Sequence, residues 1–109
     1  MRTLKFNVDG QILKPDPNCD FNNLVPGTEN YIQAEFTFSK EWDGYIRIAE
    51  FKSLMGKEYP PQPLVNGTTC IIPAEALSRR TFKVRVLGVL GDMRLPTNTI
   101  SVEQTGGNV

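Results

Sequence analysis

The stretch FTFSKEWDGYIRIAEF, residues 36–51, decides the fold class. Ile32, Ala34, Phe36 and Phe38 alternate with polar residues, so an extended segment carries one apolar face. SKEWDG breaks that alternation, and an extended apolar run resumes over residues 45–51. The reading is two central strands joined at a tight corner. Asp43-Gly44 supplies the turn chemistry, because glycine reaches φ > 0 at no steric cost and aspartate tolerates it. Trp42 is the single tryptophan and lies inside the corner. An indole there buries on the order of 150–250 Å², so Trp42, Asp43 and Gly44 are expected to form a structural corner that plugs one end of a core. In the second strand Tyr45, Arg47, Ala49 and Phe51 share one face, and Ile46, Ile48 and Glu50 share the other. Apolar groups on both faces call for a bulge, or for a loop or partner covering the second face.

Upstream, Leu4, Phe6 and Val8 alternate with Lys5 and Asn7, the pattern of a strand with one face on a core. Asp9-Gly10 turns the chain into a short returning strand over residues 11–14. Pro15, Pro17 and the Asn/Asp cluster up to Asn23 then make a loop that cannot join a central sheet. It is the longest irregular segment, and Phe21, Leu24 and Val25 are the residues expected to fold it back onto the body. Pro26-Gly27 closes it.

Downstream, residues 53–56 turn the chain again. Residues 57–64 are extended by default, but Pro60, Pro61 and Pro63 remove ladder donors and push the segment to a sheet edge or a polyproline-like connection. Asn66-Gly67 is the strongest short hairpin signal and leads into the β-branched run 68–72. PAEAL, residues 73–77, has proline at a first helical position and an early acid, which predicts one helical turn carrying the chain across an end of the fold. Strict alternation then places Phe82, Val84 and Val86 inward and Lys83 and Arg85 outward. Gly91-Asp92 makes a third tight turn, and residues 95–103 form the last strand, with Ile100 and Val102. The pattern of about seven short strands and one short helical turn predicts an all-β fold. Its expected form is an antiparallel β-sandwich, immunoglobulin-like in the loose sense, with a partly closed barrel as the alternative. Residues 1–104 read as a single domain and residues 105–109 as a flexible tail.

Composition narrows the chemistry. Twelve basic and twelve acidic residues give zero formal net charge with neither sign blocked, so neither nucleic acid nor a membrane surface is an expected partner. There is no charged segment followed by an apolar signal-type run and no apolar span, which predicts synthesis in a cytoplasm. The chain has no histidine. Ser-His and Cys-His dyads are therefore ruled out, and acid–base work would fall to carboxylates, Lys or Tyr. Glu41 and Asp43 flank Trp42, and Glu29 lies near Glu35, but both pairs read as solvated charge rather than as an acid pair. The glycines are single, so no phosphate loop exists. Cys19 in a polar loop and Cys70 in a strand read as unpaired thiols, and with no CxxC they make a poor metal set. The expectation is a non-enzyme with no cofactor and no metal. Tyr31, Tyr45, Tyr59 and Trp42 suit core or edge packing better than a sugar-stacking platform. Arg47, Arg79, Arg80, Lys83 and Arg85 read as ordinary surface charge.

One further pattern is informative. The succession F-x-FS-x-EWDG, a strand ending in an aromatic, C-x-IP-x-E-x-L, F-x-V-x-V-x-G and a late T-N resembles small structural proteins of tailed bacteriophages. The matching residues are Phe36, Phe38, Ser39, Glu41, Trp42, Asp43, Gly44, Phe51, Cys70, Ile72, Pro73, Glu75, Leu77, Phe82, Val84, Val86, Gly88, Thr97 and Asn98. They span about two thirds of the chain and are mostly core and turn positions, the kind that periodicity and turn chemistry select. The resemblance implies a virion protein, a tail or baseplate adaptor or decoration module, acting through contacts with other virion proteins and capable of homo-oligomers. Sheet edges are the expected contact elements. The candidate contact surface is Pro15, Asp16, Pro17 and Asn18 in the first loop, with Tyr59, Pro60, Pro61 and Pro63 in the second. Two alternatives stand beside it: a carbohydrate-binding module for a host cell-surface glycan, and a soluble inhibitor of a host defence protein.

Overall fold

A computed structural model describes residues 1–106. It is a two-layer β-sandwich of nine strands among the described residues: β1 (Arg2–Asp9), β2 (Ile12–Pro15), β3 (Ile32–Phe38), β4 (Ile46–Ser53), β5 (Gln62–Pro63), β6 (Thr69–Ile71), β7 (Thr81–Leu90), β8 (Met93–Pro96) and β9 (Ile100–Glu103). One sheet has the order β2-β1-β3-β6. The other has the order β5-β4-β7, with β8 and β9 both on the far side of β7.

The corner at Trp42 connects two layers and not two neighbours. β3 lies in the first sheet and β4 in the second, so the expected central pair does not form. A 3-10 turn over Lys40–Trp42 lifts the chain across the end of the sandwich. Asp43 (φ −61, ψ 130) and Gly44 (φ 86) then make a type II turn, closed by the Tyr45 N–H on the Trp42 carbonyl at 3.1 Å. At the opposite end the helical turn α1 (Ala74–Leu77) carries the chain from β6 back to β7, as the PAEAL pattern predicts.

β1 and β3 run parallel, from Arg2↔Ile32 to Val8↔Phe38, while every other ladder is antiparallel. Parallel neighbours need a long crossover. Residues 16–31 complete it after β2, and they include the stretch up to Asn23 that the sequence marks as an irregular loop. Leu24 is buried and Phe21 packs edge-on against Phe6, with ring centroids 5.5 Å apart, whereas Val25 stays exposed. The Arg2 guanidinium donates to the Asp20 and Asn22 carbonyls, and the Gly27 N–H bonds the Leu77 carbonyl.

β8 and β9 are one strand in two pieces. The register against β7 shifts by one residue between Leu87↔Pro96 and Val84↔Ile100, so residues 97–99 form a bulge. This break and the two-residue β5 account for nine strands where about seven were expected. Inward residues Leu4, Phe6, Val8, Ile32, Ala34 and Phe36 from one sheet face Ala49, Phe51, Phe82, Val84, Val86 and Val102 from the other. Of the segment 105–109 read as a tail, residues 105 and 106 are described. Gly106 N–H bonds the Leu24 carbonyl at 2.7 Å, and Gln104 is fully buried with its amide on the Leu77 and Arg79 carbonyls. Gly107, Asn108 and Val109 lie outside the described residues.

Candidate interaction surfaces

Trp42 is fully buried. Its indole Nε1–H donates to the Gly10 carbonyl at 2.7 Å, and Ser39 Oγ accepts the Gly10 N–H at 2.9 Å. The corner thereby clamps the β1–β2 turn. Phe38 and Tyr45 pack on the indole, with centroids 5.0 and 6.1 Å away. Trp42 is thus unavailable for stacking on a sugar. Tyr45 stays at this end beside Met93, while Tyr59 sits at the opposite end of β4, so the aromatic residues form no common platform.

Arg47 turns inward, against its assignment to surface charge. No bulge interrupts β4 against β7, so the alternation holds and places Arg47 on the same face as Ala49 and Phe51. Its guanidinium donates to the carbonyls of Trp42 (2.9 Å) and Gly67 (3.0 Å) and lies 4.3 Å from the Phe38 ring centroid. One side chain so ties the corner to the Asn66-Gly67 turn, where both residues have positive φ. The remaining basic residues separate: Arg85 pairs with Glu50 at 2.7 Å on the outer face, and Arg79 and Arg80 follow α1.

Pro15, Pro17 and Asn18 are exposed and Asp16 is half-buried. Asp16 accepts the Asn18 N–H on its carboxylate at 2.9 Å, and its own N–H bonds the Lys5 carbonyl. Cys19 follows, with its sulfur taking the Lys5 N–H at 3.3 Å where β2 no longer covers β1. Both thiols are free, as expected. Burial of Cys70 pushes its thiol up to about 12, partly offset by a hydrogen bond to the Ala34 backbone.

Tyr59 is half-buried, with its N–H on the Phe51 carbonyl; Pro60, Pro61 and Pro63 are exposed. Tyr59 and Pro60 form part of an open groove of about 1150 Å³ between residues 53–60 and α1. Three acids (Glu29, Glu58, Glu75) and three bases (Lys57, Arg79, Arg80) line it, so it presents no single sign of charge. The structure does not bring the two halves of the candidate contact surface together: residues 15–18 follow β2, at the edge of the first sheet, and residues 59–63 border β4 in the second.

Sequence reading missed three features. Leu54 and Met55, read only as a turn, stand 58% and 94% exposed on the groove's rim. On the outer face of the second sheet, Ile46, Ile48, Leu87, Val89 and Pro63 form an apolar group through the pairs Ile46↔Val89, Ile48↔Leu87 and Ile48↔Pro63. Apolar residues on both faces of β4 were its only signal. The outer face of the first sheet is polar by comparison, with Thr3↔Gln33, Lys5↔Glu35 and Asn7↔Thr37 in register. Third, Asn98 bridges the two sheets. Its Oδ1 accepts the Leu13 N–H at 2.6 Å, its Nδ2 donates to the Leu13 carbonyl, and its N–H bonds the Gln11 carbonyl.

No helix among the described residues is long and apolar enough to cross a membrane. No family model, curated protein or solved structure matches this chain.

Proposed function

We propose that this protein is a non-catalytic structural module of a tailed-phage particle, a tail or baseplate adaptor or decoration protein, working through protein–protein contact. The observation that carries this reading is the asymmetry of the sandwich. One outer face is polar, and on the other Ile46, 67% exposed, and the exposed Pro63 stand with the half-buried Ile48 and Val89 around a buried Leu87. Contiguous exposed apolar side chains rimmed by charge are the ordinary make-up of a protein contact. The polar groups in the interior are used structurally: Asn98 ties β2 to the second sheet, Arg47 ties the corner to the Asn66-Gly67 turn, and Gln104 holds the end of α1 and the chain after it, each by donating to backbone carbonyls.

Quantitative mass spectrometry of gradient-purified particles, set against the soluble lysate, tests it. Presence at a copy number matching tail or capsid symmetry supports the reading. Absence from particles with abundance in the lysate rejects it and favours a host-directed inhibitor.

The groove motivates a second reading, a carbohydrate-binding module for a host surface glycan. Tyr59 provides an aromatic wall beside carboxylates and guanidinium groups, the mixture that sugar hydroxyls and ring faces require. Calorimetric titration with cell-wall glycan fragments decides it. Binding that is lost in Tyr59→Ala supports the glycan reading, and no heat from any fragment removes it.

A further inference from the structure

The Asn66-Gly67 turn carries chemistry that its place in the fold does not use. An asparagine carboxamide is open to attack by the next backbone nitrogen, and most open where glycine follows, because glycine sets no Cβ in the way. Asn66 is the single asparagine followed by glycine; every other asparagine precedes a residue with a side chain.

The folded structure adds to the motif. The Asn66 side chain is exposed, and no hydrogen bond among the described residues engages its carboxamide, whereas both polar atoms of the Asn98 carboxamide are held by Leu13. Asn66 (φ 54) and Gly67 (φ 73) are both left-handed. The Gly67 N–H reaches the Leu64 carbonyl at 3.3 Å, the longest backbone bond in the turns and loops among the described residues. The Arg47 guanidinium sits on the Gly67 carbonyl at 3.0 Å, and a Cβ on Gly67 would lie 3.4 Å from its Nη1. A cation this close favours loss of the Gly67 amide proton, and the deprotonated nitrogen is the form that attacks.

We propose that Asn66 is a self-modification site, which converts in the folded chain to aspartate and β-linked aspartate with water as the co-reactant. The Gly67 nitrogen gives its proton to solvent base, adds to Asn66 Cγ and forms a new C–N bond. The Cγ–Nδ2 bond breaks, and Nδ2 takes up a proton from solvent and leaves as ammonia, which closes a five-membered imide. Water then adds to one imide carbonyl and breaks that carbonyl's bond to the Gly67 nitrogen, which regains its proton. Opening at Cγ gives aspartate. Opening at the main-chain carbonyl gives the β-linked product, in which the chain runs through Cγ. The sum is asparagine and water to aspartate and ammonia, with no change of oxidation state. Deprotonation forfeits the Gly67–Leu64 bond, the weakest hold in the turn.

The two products act differently on the fold. Aspartate keeps the turn that the Thr68 N–H closes on the Val65 carbonyl at 3.1 Å. The β-linked product puts an extra methylene into the main chain between Val65 and Thr68, a span that the turn geometry fixes. It thereby moves the Gly67 carbonyl off Arg47 and cuts the tie between this turn and the Trp42 corner. Ammonia is lost to solvent, so the change runs one way.

Ageing the full chain at several values between about pH 6 and pH 8, followed by intact mass and by peptide mapping with electron-transfer fragmentation, tests the proposal. The expected result is the mass gain of exchanging NH2 for OH, confined to Asn66 and mostly β-linked. Its rate should rise several-fold per pH unit, because the attacking nitrogen must lose its proton. The urea midpoint of the aged protein should fall toward that of Arg47→Met. Asn66→Gly accepts the same left-handed backbone and should age with neither mass gain nor loss of stability. No conversion at Asn66 over several weeks, conversion spread over other asparagines, or a rate flat in pH overturns the proposal. So does a rate that rises in Asn98→Ala in proportion to its unfolded fraction, since the reaction then belongs to the unfolded chain. Full conversion with an unchanged midpoint overturns the cut between the turn and Arg47.

Discussion

Trp42 lies directly over Gly88: a Cβ built on Gly88 would stand 2.7 Å from the indole Cζ3, closer than side-chain carbons approach one another. The corner between the sheets and the C-terminal part of β7 are thus fitted to each other, with the indole occupying the volume that a side chain on Gly88 would need. The backbone of Gly88 is not left-handed, so the requirement for glycine here is steric.

Gly88→Ala is expected to destabilise the fold by about 1–3 kcal/mol through overpacking. Trp42→Phe relieves the clash, so the double variant should lose less than the sum of the two single changes. Urea midpoints at unchanged slope measure both effects, and strict additivity would refute the contact.

Arg47→Met keeps much of the volume but leaves the Trp42 and Gly67 carbonyls without donors. A loss of about 1–3 kcal/mol is expected. Arg47→Lys should recover only part of it, because an ammonium group lacks the fork that reaches both carbonyls. Thermal unfolding of the three proteins gives the ranking, and equal stability of the lysine variant and the wild type would contradict it.

Asn98→Ala opens the seam between β2 and the second sheet. Its cost is about 2 kcal/mol, with faster amide exchange at Leu13 than elsewhere in the core. Asn98→Asp keeps the acceptor for the Leu13 N–H and sets a carboxylate against the Leu13 carbonyl. Its deficit relative to wild type should shrink below about pH 4, where a protonated carboxyl can donate again. A deficit independent of pH would show that the side-chain donor is immaterial.

Cys70 makes the fold sensitive to alkali. Folded, the thiol keeps its proton to about 12, against 9.0 for the ordinary thiol. Unfolding therefore releases a proton between these values, and stability falls as pH rises through that window, by about 1.4 kcal/mol per pH unit. Below pH 9 the contribution is constant. Urea titrations from pH 8 to 11 should show this decline in wild type and its absence in Cys70→Ala. At pH 8 a thiol reagent should modify Cys19 promptly and Cys70 only on unfolding; comparable rates at the two sites would deny the burial.

The candidate contact residues were legible as non-central segments for a local reason. Proline lacks the N–H of a central ladder, so Pro15, Pro17, Pro60, Pro61 and Pro63 lie at strand ends, edges and loops, where that reason puts them. What they do there was not legible. The 15–18 loop opens the crossover required by the parallel β1/β3 pair, and the prolines of 60–63 close an edge rather than open one.

The sequence by itself determined what depends on neighbours along the chain: the turns at Asp43-Gly44, Asn66-Gly67 and Gly91-Asp92, the helical turn of PAEAL, the inward faces of β1, β3 and β7, and the burial of Trp42 at a corner. Glycine conformations, proline's missing donor and a two-residue period are properties of a few adjacent residues. Only the tertiary structure decided which strands are partners. Alternation says which face of a strand is buried and is silent about its neighbours, so the separation of β3 from β4, the parallel pairing of β1 with β3 and the exposed edge of β9 could not be read from periodicity. Arg47 shows the same division. Spacing put it on one face with Ala49 and Phe51 while its charge marked it for the surface, and only the two carbonyls of Trp42 and Gly67, which come together when the sheets close, hold it inside.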